Sequence, residues 1–207
     1  MNKKAIIYLH GFNSASLDAV GQLLTTKDKL RVLRDFCAEQ DLELFAPNVD
    51  YRDFENLLED TLSAWNQYLD RGLDVVFMGS SMGGFASDYL ARKTACKAIM
   101  INPVISPCEL LPQFIGVSAN YETGAPYQWE QHHCDQYALY QAALASSQRL
   151  PERLILLDMG DELLDAEKTR LHYADTAKVV TFVGGSHGFE HMQAALPAVT
   201  ELIFSKA

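Results

Sequence analysis

The chain has 207 residues, 48% of them apolar and 21% charged, ordinary values for a water-soluble globular protein long enough to bury a substantial core. Its formal net charge of −10, with no lysine- or arginine-rich run to offset it, is repelled by phosphate backbones and anionic lipid surfaces. Nucleic-acid and membrane-surface partners are therefore excluded, and no apolar run approaches the length of a bilayer span.

In chain order, the apolar stretch Ala5-Ile6-Ile7-Tyr8-Leu9 comes first, and His10 and Gly11 interrupt it. It is too short for a signal-peptide core with a cleavage site, and it reads as a strand over 4–9. Similar β-branched-rich runs at 42–46, 74–79, 97–102, 153–158 and 178–183 predict five more strands. Helical patterning fills the intervals at 17–40, 53–70, 82–94, 165–174 and 189–205, with Gly72 closing the second helix and Asp165 placed as an N-cap. Strands alternating with helices predict an α/β fold. The expected form is a mostly parallel sheet of about six strands, with helices on both faces, in a single domain over 1–207. The interval 103–150 breaks this rhythm with Pro103, Pro107, Pro112 and Pro126 among Tyr121, Tyr127 and Trp129. So long a connection predicts a small cap over the C-terminal edge of the sheet, with a short helix at 136–148.

Between the third strand and the following helix stands Gly79-Ser80-Ser81-Met82-Gly83. This G-x-S-x-G pattern, at a strand-to-helix turn, projects a serine from the top of a sheet, because the flanking glycines present no Cβ to the tight turn. Ser81 is then a candidate nucleophile, with Ser80 part of the turn. A serine is a weak nucleophile until an imidazole accepts its proton, and that imidazole needs a carboxylate to set its tautomer. In an open α/β sheet such groups collect at the C-terminal strand ends.

For the acid, the fifth strand runs into Asp158-Met159-Gly160-Asp161-Glu162. Asp161, in the turn after Gly160, can reach sideways and is the first choice; Asp158, still at the strand end, and Glu162 are the alternatives. For the base, His187 sits in Gly184-Gly185-Ser186-His187-Gly188, directly after the last strand, in a loop that glycines free to aim a ring. His191 is its substitute, at the start of the final helix, and His172 falls within a helix. His132 and His133 adjoin Cys134 and Asp135, but adjacent residues rarely converge on one ion and no paired ligand spacing appears, so no metal is expected. An oxyanion hole needs two backbone amides: those of Met82, after the nucleophile, and Phe12, after the first strand, where Gly11 is expected to take an unusual backbone angle. His10 beside it reads as a structural hydrogen-bonder.

Together these segments resemble the α/β-hydrolase superfamily, and more narrowly the small bacterial YqiA/YcfP-like esterases. The resemblance rests on Ile7-Tyr8-Leu9-His10-Gly11-Phe12-Asn13-Ser14, Gly79-Ser80-Ser81-Met82-Gly83-Gly84, Asn102-Pro103 with Glu109-Leu110-Leu111, and Tyr121-Glu122-Thr123-Gly124. Gly160-Asp161-Glu162-Leu163-Leu164-Asp165 and Gly184-Gly185-Ser186-His187 complete it, while Gln131-His132-His133-Cys134 departs from the family pattern. The resemblance implies Ser81 as nucleophile, Asp161 as acid and His187 as base in a minimal hydrolase without the first two strands of larger relatives. It also implies an esterase.

The expected activity is hydrolysis of a small-molecule acyl ester through an acyl-enzyme, with no metal or organic cofactor. An acyl-CoA thioesterase is the nearest alternative, disfavoured by the net charge unless basic residues such as Arg92 or Lys93 gather at the mouth. A hydrolase-fold binding protein without catalysis is the rival from another class. A nucleotide-binding domain is disfavoured, since neither G-x-x-x-x-G-K-[ST] nor G-x-G-x-x-G occurs. The four cysteines show no C-x-x-C spacing, so the chain is expected reduced, in the cytoplasm.

Overall fold

Every residue of Arg153–Asp158 is buried, and all but the first of Lys4–Leu9 and of Asp74–Ser80. Strands covered on both faces show no polar alternation, which is why they stand out in the sequence as continuous apolar runs. The computed structural model of the chain describes residues 3–26 and 28–205. Its main sheet contains β1 (Lys4–Leu9), β2 (Glu43–Phe45), β3 (Asp74–Ser80) and β4 (Lys97–Ile101). After the hairpin strands β5 (Gly116–Ala119) and β6 (Pro126–Trp129), it continues with β7 (Arg153–Asp158) and β8 (Lys178–Phe182). The order is β2-β1-β3-β4-β7-β8, all parallel, with Ile7 beside Phe77, Met78 beside Ile99, and Met100 beside Ile155. All six predicted strands are present. This is the α/β fold with a parallel six-stranded sheet that the sequence predicts.

Alternate strand residues feed the cores on the two faces of the sheet. Ile6, Tyr8, Met78 and Ile99 pack against Leu30, Leu33 and Phe36 of α1 (Asp28–Glu39) and against Ala195, Val199 and Ile203 of α8 (Met192–Phe204). Ile7, Leu9, Val75 and Phe77 pack on the other face, against Phe54, Leu57 and Leu58 of α2 (Phe54–Asp70) and Phe85 and Leu90 of α3 (Met82–Thr94). Asp53 caps α2 by accepting from the Asn56 amide at 3.0 Å, and Gly72, at φ +76°, follows its end. Asp165 caps α7 (Ala166–Tyr173) by accepting from Lys168 N at 2.9 Å. Among the described residues no helix is long and apolar enough to cross a membrane.

The structure shortens the first predicted helix. The helix expected over 17–40 begins only at Asp28. Upstream, Asn48 Oδ1 takes the amides of Ser16 and Leu17 at 2.8 and 2.9 Å, and Asp18 Oδ1 takes those of Val20 and Gln22. Side-chain oxygens thereby claim amides that a helix would use. The cap contains the helix expected at 136–148, seen over Tyr137–Ser146, together with further elements. It runs through α4 (Pro107–Leu110), a 3-10 turn (Leu111–Phe114), the antiparallel β5–β6 hairpin, α5 (Gln131–Asp135) and α6 (Tyr137–Ser146). The hairpin is tied to the loop after β1: Asn13 Nδ2 donates to the Ala119 carbonyl at 3.0 Å, and Tyr121 N donates to the Asn13 carbonyl at 3.0 Å. Tyr127 and Trp129 both set their rings edge-on to Phe12.

Candidate active site

Between β3 and α3 the chain reverses direction at Ser81, whose φ of 57° and ψ of −119° are strained for a residue with a Cβ. Packing and hydrogen bonds hold it there. A Cβ on Gly79 would stand 2.0 Å from the Gly83 carbonyl oxygen, and one on Gly83 would stand 2.0 Å from that of Leu9. Only glycine fits at either place. Ser81 N donates to the Ile101 carbonyl at 2.9 Å, and the Ser81 carbonyl accepts from Gly84 N and Val104 N.

Ser81 Oγ lies 3.0 Å from His187 Nε2, and His187 Nδ1 lies 2.8 Å from Asp161 Oδ2. An ionised carboxylate only accepts, so Nδ1 carries the proton and Nε2 is left to accept from the serine hydroxyl. The Asp161 side chain is 1% exposed and that of His187 20%. Asp161 is oriented by its own turn, since Oδ1 accepts from Leu163 N and Leu164 N at 2.9 and 2.8 Å, which leaves Oδ2 for the imidazole. Glu162, one of the alternatives for the acid, instead accepts from the backbone amide of His187 at 2.9 Å, a bond that holds its carboxyl below the usual carboxylate range. Asp158, the other alternative, is fully buried and contacts His191 Nδ1 at 2.7 Å.

Phe12 and Met82 flank the serine from two sides. Met82 opens α3, and the loop carrying Phe12 passes so close that a Cβ on Gly11 would lie 3.3 Å from Ser81 Cβ. Gly11 has no positive φ, so it answers a need for close approach and not for an unusual backbone angle. Among the described residues no carbonyl of the loops and caps accepts from the Phe12 or Met82 amide. His10 points away from the site: Val49 N donates to its Nε2 at 2.9 Å, and its Nδ1 lies 2.8 Å from the Gly11 carbonyl oxygen.

A cavity of about 640 Å³ opens over Ser81 and His187. Its apolar wall comes from Phe12 and from Leu110 and Phe114 of the cap, with Leu163 and Phe189 nearby. Lys29 of α1 also lines it, its Nζ donating to Ser80 Oγ at 2.7 Å. The sequence offered no sign of this cation. Arg92, one of the basic residues considered for the mouth, is bound instead to Asp88 and to the Leu144 carbonyl, and it and Lys93 line a separate hollow. In the His132–Cys134 segment, His133 Nδ1 accepts from Glu130 N and Cys134 Sγ accepts from Trp129 Nε1, both local structural bonds. Among the described residues no group of three His, Cys, Asp or Glu side chains converges as a metal site would require.

Residues 5–204 match the profile of UPF0227, described as an uncharacterised protein family. The chain belongs to the UPF0227 family. Solved structures place this UPF0227 member among the α/β hydrolases by fold. It is similar to FphF, a fluorophosphonate-binding serine hydrolase of Staphylococcus aureus, at 20% identity and a TM-score of 0.65, covering 98% of this chain and 84% of that one. It is similar to Est1E from Butyrivibrio proteoclasticus at 16% identity and a TM-score of 0.70, covering 96% and 86% of the two chains. Mouse alpha/beta hydrolase domain-containing protein 10 matches at 15% identity and a TM-score of 0.65, over 96% of this chain and 89% of that one.

Proposed function

We propose that the chain is a serine esterase that acts as one domain on small acyl esters through Ser81, His187 and Asp161. The observation that carries this reading is the unbroken line of contacts from Ser81 Oγ through His187 to Asp161, at 3.0 and 2.8 Å, on a strained elbow. Neighbours by fold that bear the names serine hydrolase and hydrolase support it.

In the first half-reaction Ser81 Oγ attacks the ester carbonyl while its proton passes to His187 Nε2. The oxyanion is received by the Phe12 and Met82 amides, and the new imidazolium is stabilised by Asp161. Collapse breaks the bond to the leaving oxygen, which takes the proton from His187 and departs as the alcohol. In the second half-reaction His187 draws a proton from water, the hydroxide oxygen attacks the acyl-enzyme, and the carboxylic acid leaves as Ser81 regains its proton. Each step uses only groups already in place, with no cofactor. Turnover of a p-nitrophenyl ester by the wild type, and its loss in Ser81→Ala, tests the reading; equal turnover by the variant contradicts it.

A second substrate class to separate from this one is an acyl thioester with an anionic leaving group such as coenzyme A. Lys29 places a cation in the cavity beside the elbow, although Asp28, Glu122 and Glu190 line the same space. Parallel assays on p-nitrophenyl esters and acyl-CoAs, with Lys29→Gln, separate the two: a thioesterase loses acyl-CoA turnover selectively. The unpaired thiols of Cys37, Cys96, Cys108 and Cys134 support a reducing compartment, the cytoplasm.

A further inference from the structure

Two buried polar side chains that touch neither Ser81 nor the cavity hold the backbone on which His187 rides. Asp158, the last residue of β7, is 0% exposed, and its Oδ2 accepts from Ser186 N at 3.3 Å and from Glu190 N at 2.7 Å. Its Oδ1 lies 2.7 Å from His191 Nδ1, and the His191 ring stacks on Phe182. Asn102, just beyond β4 and 2% exposed, donates from Nδ2 to the carbonyls of Ser186 and His187 at 3.0 and 3.2 Å. Its Oδ1 accepts from the amide of Asp158 at 2.9 Å, which joins the two side chains into one unit. The loop is shaped to sit on that unit: a Cβ on Gly185 would stand 2.0 Å from Asp158 Oδ2, and Asn102 itself takes φ 40°, a value that asparagine tolerates well.

We infer that Asp158 and Asn102, with His191 as the partner of the buried carboxylate, are positioning residues for the general base. Asp161 turns the imidazole ring, while this pair sets where the ring begins. The inference rests on the esterase reading above. His187 would otherwise sit on a glycine-rich connection whose reach to Ser81 varied from moment to moment. A base displaced by about 1 Å loses roughly a hundredfold in rate even when the substrate is still held. Among the described residues that line the cavity neither Asp158 nor Asn102 appears, so substrate binding is expected to survive their change.

The test is Asn102→Asp, which keeps an acceptor for the Asp158 amide but has no N–H for the two loop carbonyls. His191→Phe is the second variant; it removes the partner of Asp158 while keeping a ring to stack on Phe182. Fluorophosphonate end-point labelling counts competent sites, and kcat per labelled site and KM are then measured on a p-nitrophenyl ester. Asn102→Asp is expected to lose about tenfold to a hundredfold in per-site kcat. His191→Phe is expected to lose less, with KM within about twofold of wild type in both. If Asn102→Asp does not fold, the same split is read from His191→Phe. Wild-type kcat per labelled site, with only the number of sites or the melting temperature reduced, overturns the inference. Ser81→Ala is run beside them: its loss of labelling leaves the esterase reading standing whatever the loop variants do, and its continued labelling overturns both.

Discussion

Asp161 and His187 meet at 2.8 Å, and three residues earlier in the chain a second aspartate, Asp158, meets a second histidine, His191, at 2.7 Å. Only the first pair reaches Ser81. Replacement of Asp161 by Asn keeps the acceptor for the Leu163 and Leu164 amides but allows the imidazole its other tautomer. A fall in kcat of about 10⁴-fold is expected, with the melting temperature nearly unchanged. Steady-state kinetics beside a thermal melt check this. Full activity in Asp161→Asn would mean that the acid lies elsewhere.

The elbow glycines are predicted to matter to the fold before they matter to the chemistry. An alanine at Gly83 would thrust its methyl to 2.0 Å from the backbone oxygen of Leu9, which cannot move without disturbing β1. We expect Gly83→Ala to lose about 3 kcal/mol, or roughly 6–12 °C in melting temperature. The tightest contact of Gly11→Ala is Ser81 Cβ, at 3.3 Å, with the Ser80 carbonyl oxygen at an ordinary 3.5 Å, so it should melt close to wild type while labelling more slowly. Calorimetry on both variants decides it.

Alkaline pH should unfold the protein from a definable point. Burial raises the phenols of Tyr8, Tyr51, Tyr137 and Tyr173 above their ordinary value and pushes the Cys37 thiol up to about 12. In the unfolded chain these groups ionise near pH 9–10 (roughly the free values), so above that range the unfolded state holds fewer protons than the folded one. Their stabilisation is therefore complete below about pH 9 and is lost as pH rises toward the folded values. Melting temperature should be level from about pH 7 to 9 and then fall, and tyrosinate absorbance from the buried rings should appear only as the structure melts. Early tyrosinate absorbance from all nine tyrosines in an intact fold would contradict this burial.

The apolar wall of the cavity predicts a dependence on acyl length. Phe114, from the cap, lies 5.3 Å ring to ring from Phe12 and lines the space above the serine. Phe114→Ala should raise KM for a longer-chain p-nitrophenyl ester by about tenfold while leaving the acetate ester within about twofold. Equal changes for both esters would place the chain outside this wall.

Much of the site was legible because its parts are local. Gly79-Ser80-Ser81-Met82-Gly83 and Asp161 follow β3 and β7, strands whose burial on both faces makes them nearly continuous apolar runs. His187 follows β8, a half-exposed strand marked instead by Val179, Val180 and the glycines after it. Asp161 could be preferred over Asp158 because a carboxylate in the turn after Gly160 can reach sideways. What was missed depends on distant partners. The start of α1 is decided by Asn48, 31 residues from Leu17, and the grip of Asn102 spans 84 residues to Ser186. Lys29 reaches the site because α1 packs into the core that holds Ile6, Tyr8 and Met78. The β5–β6 hairpin did leave a sign, with buried Tyr127 and Trp129 on either side of exposed Gln128, but the four-residue strand was too short to stand out.

The most direct measurement is the mass of the peptide that a fluorophosphonate modifies. The wild type should carry a single adduct on Ser81, and Ser81→Ala should carry none while melting like the wild type. An adduct on another residue, or undiminished labelling of Ser81→Ala, would contradict the assignment of Ser81 as the nucleophile.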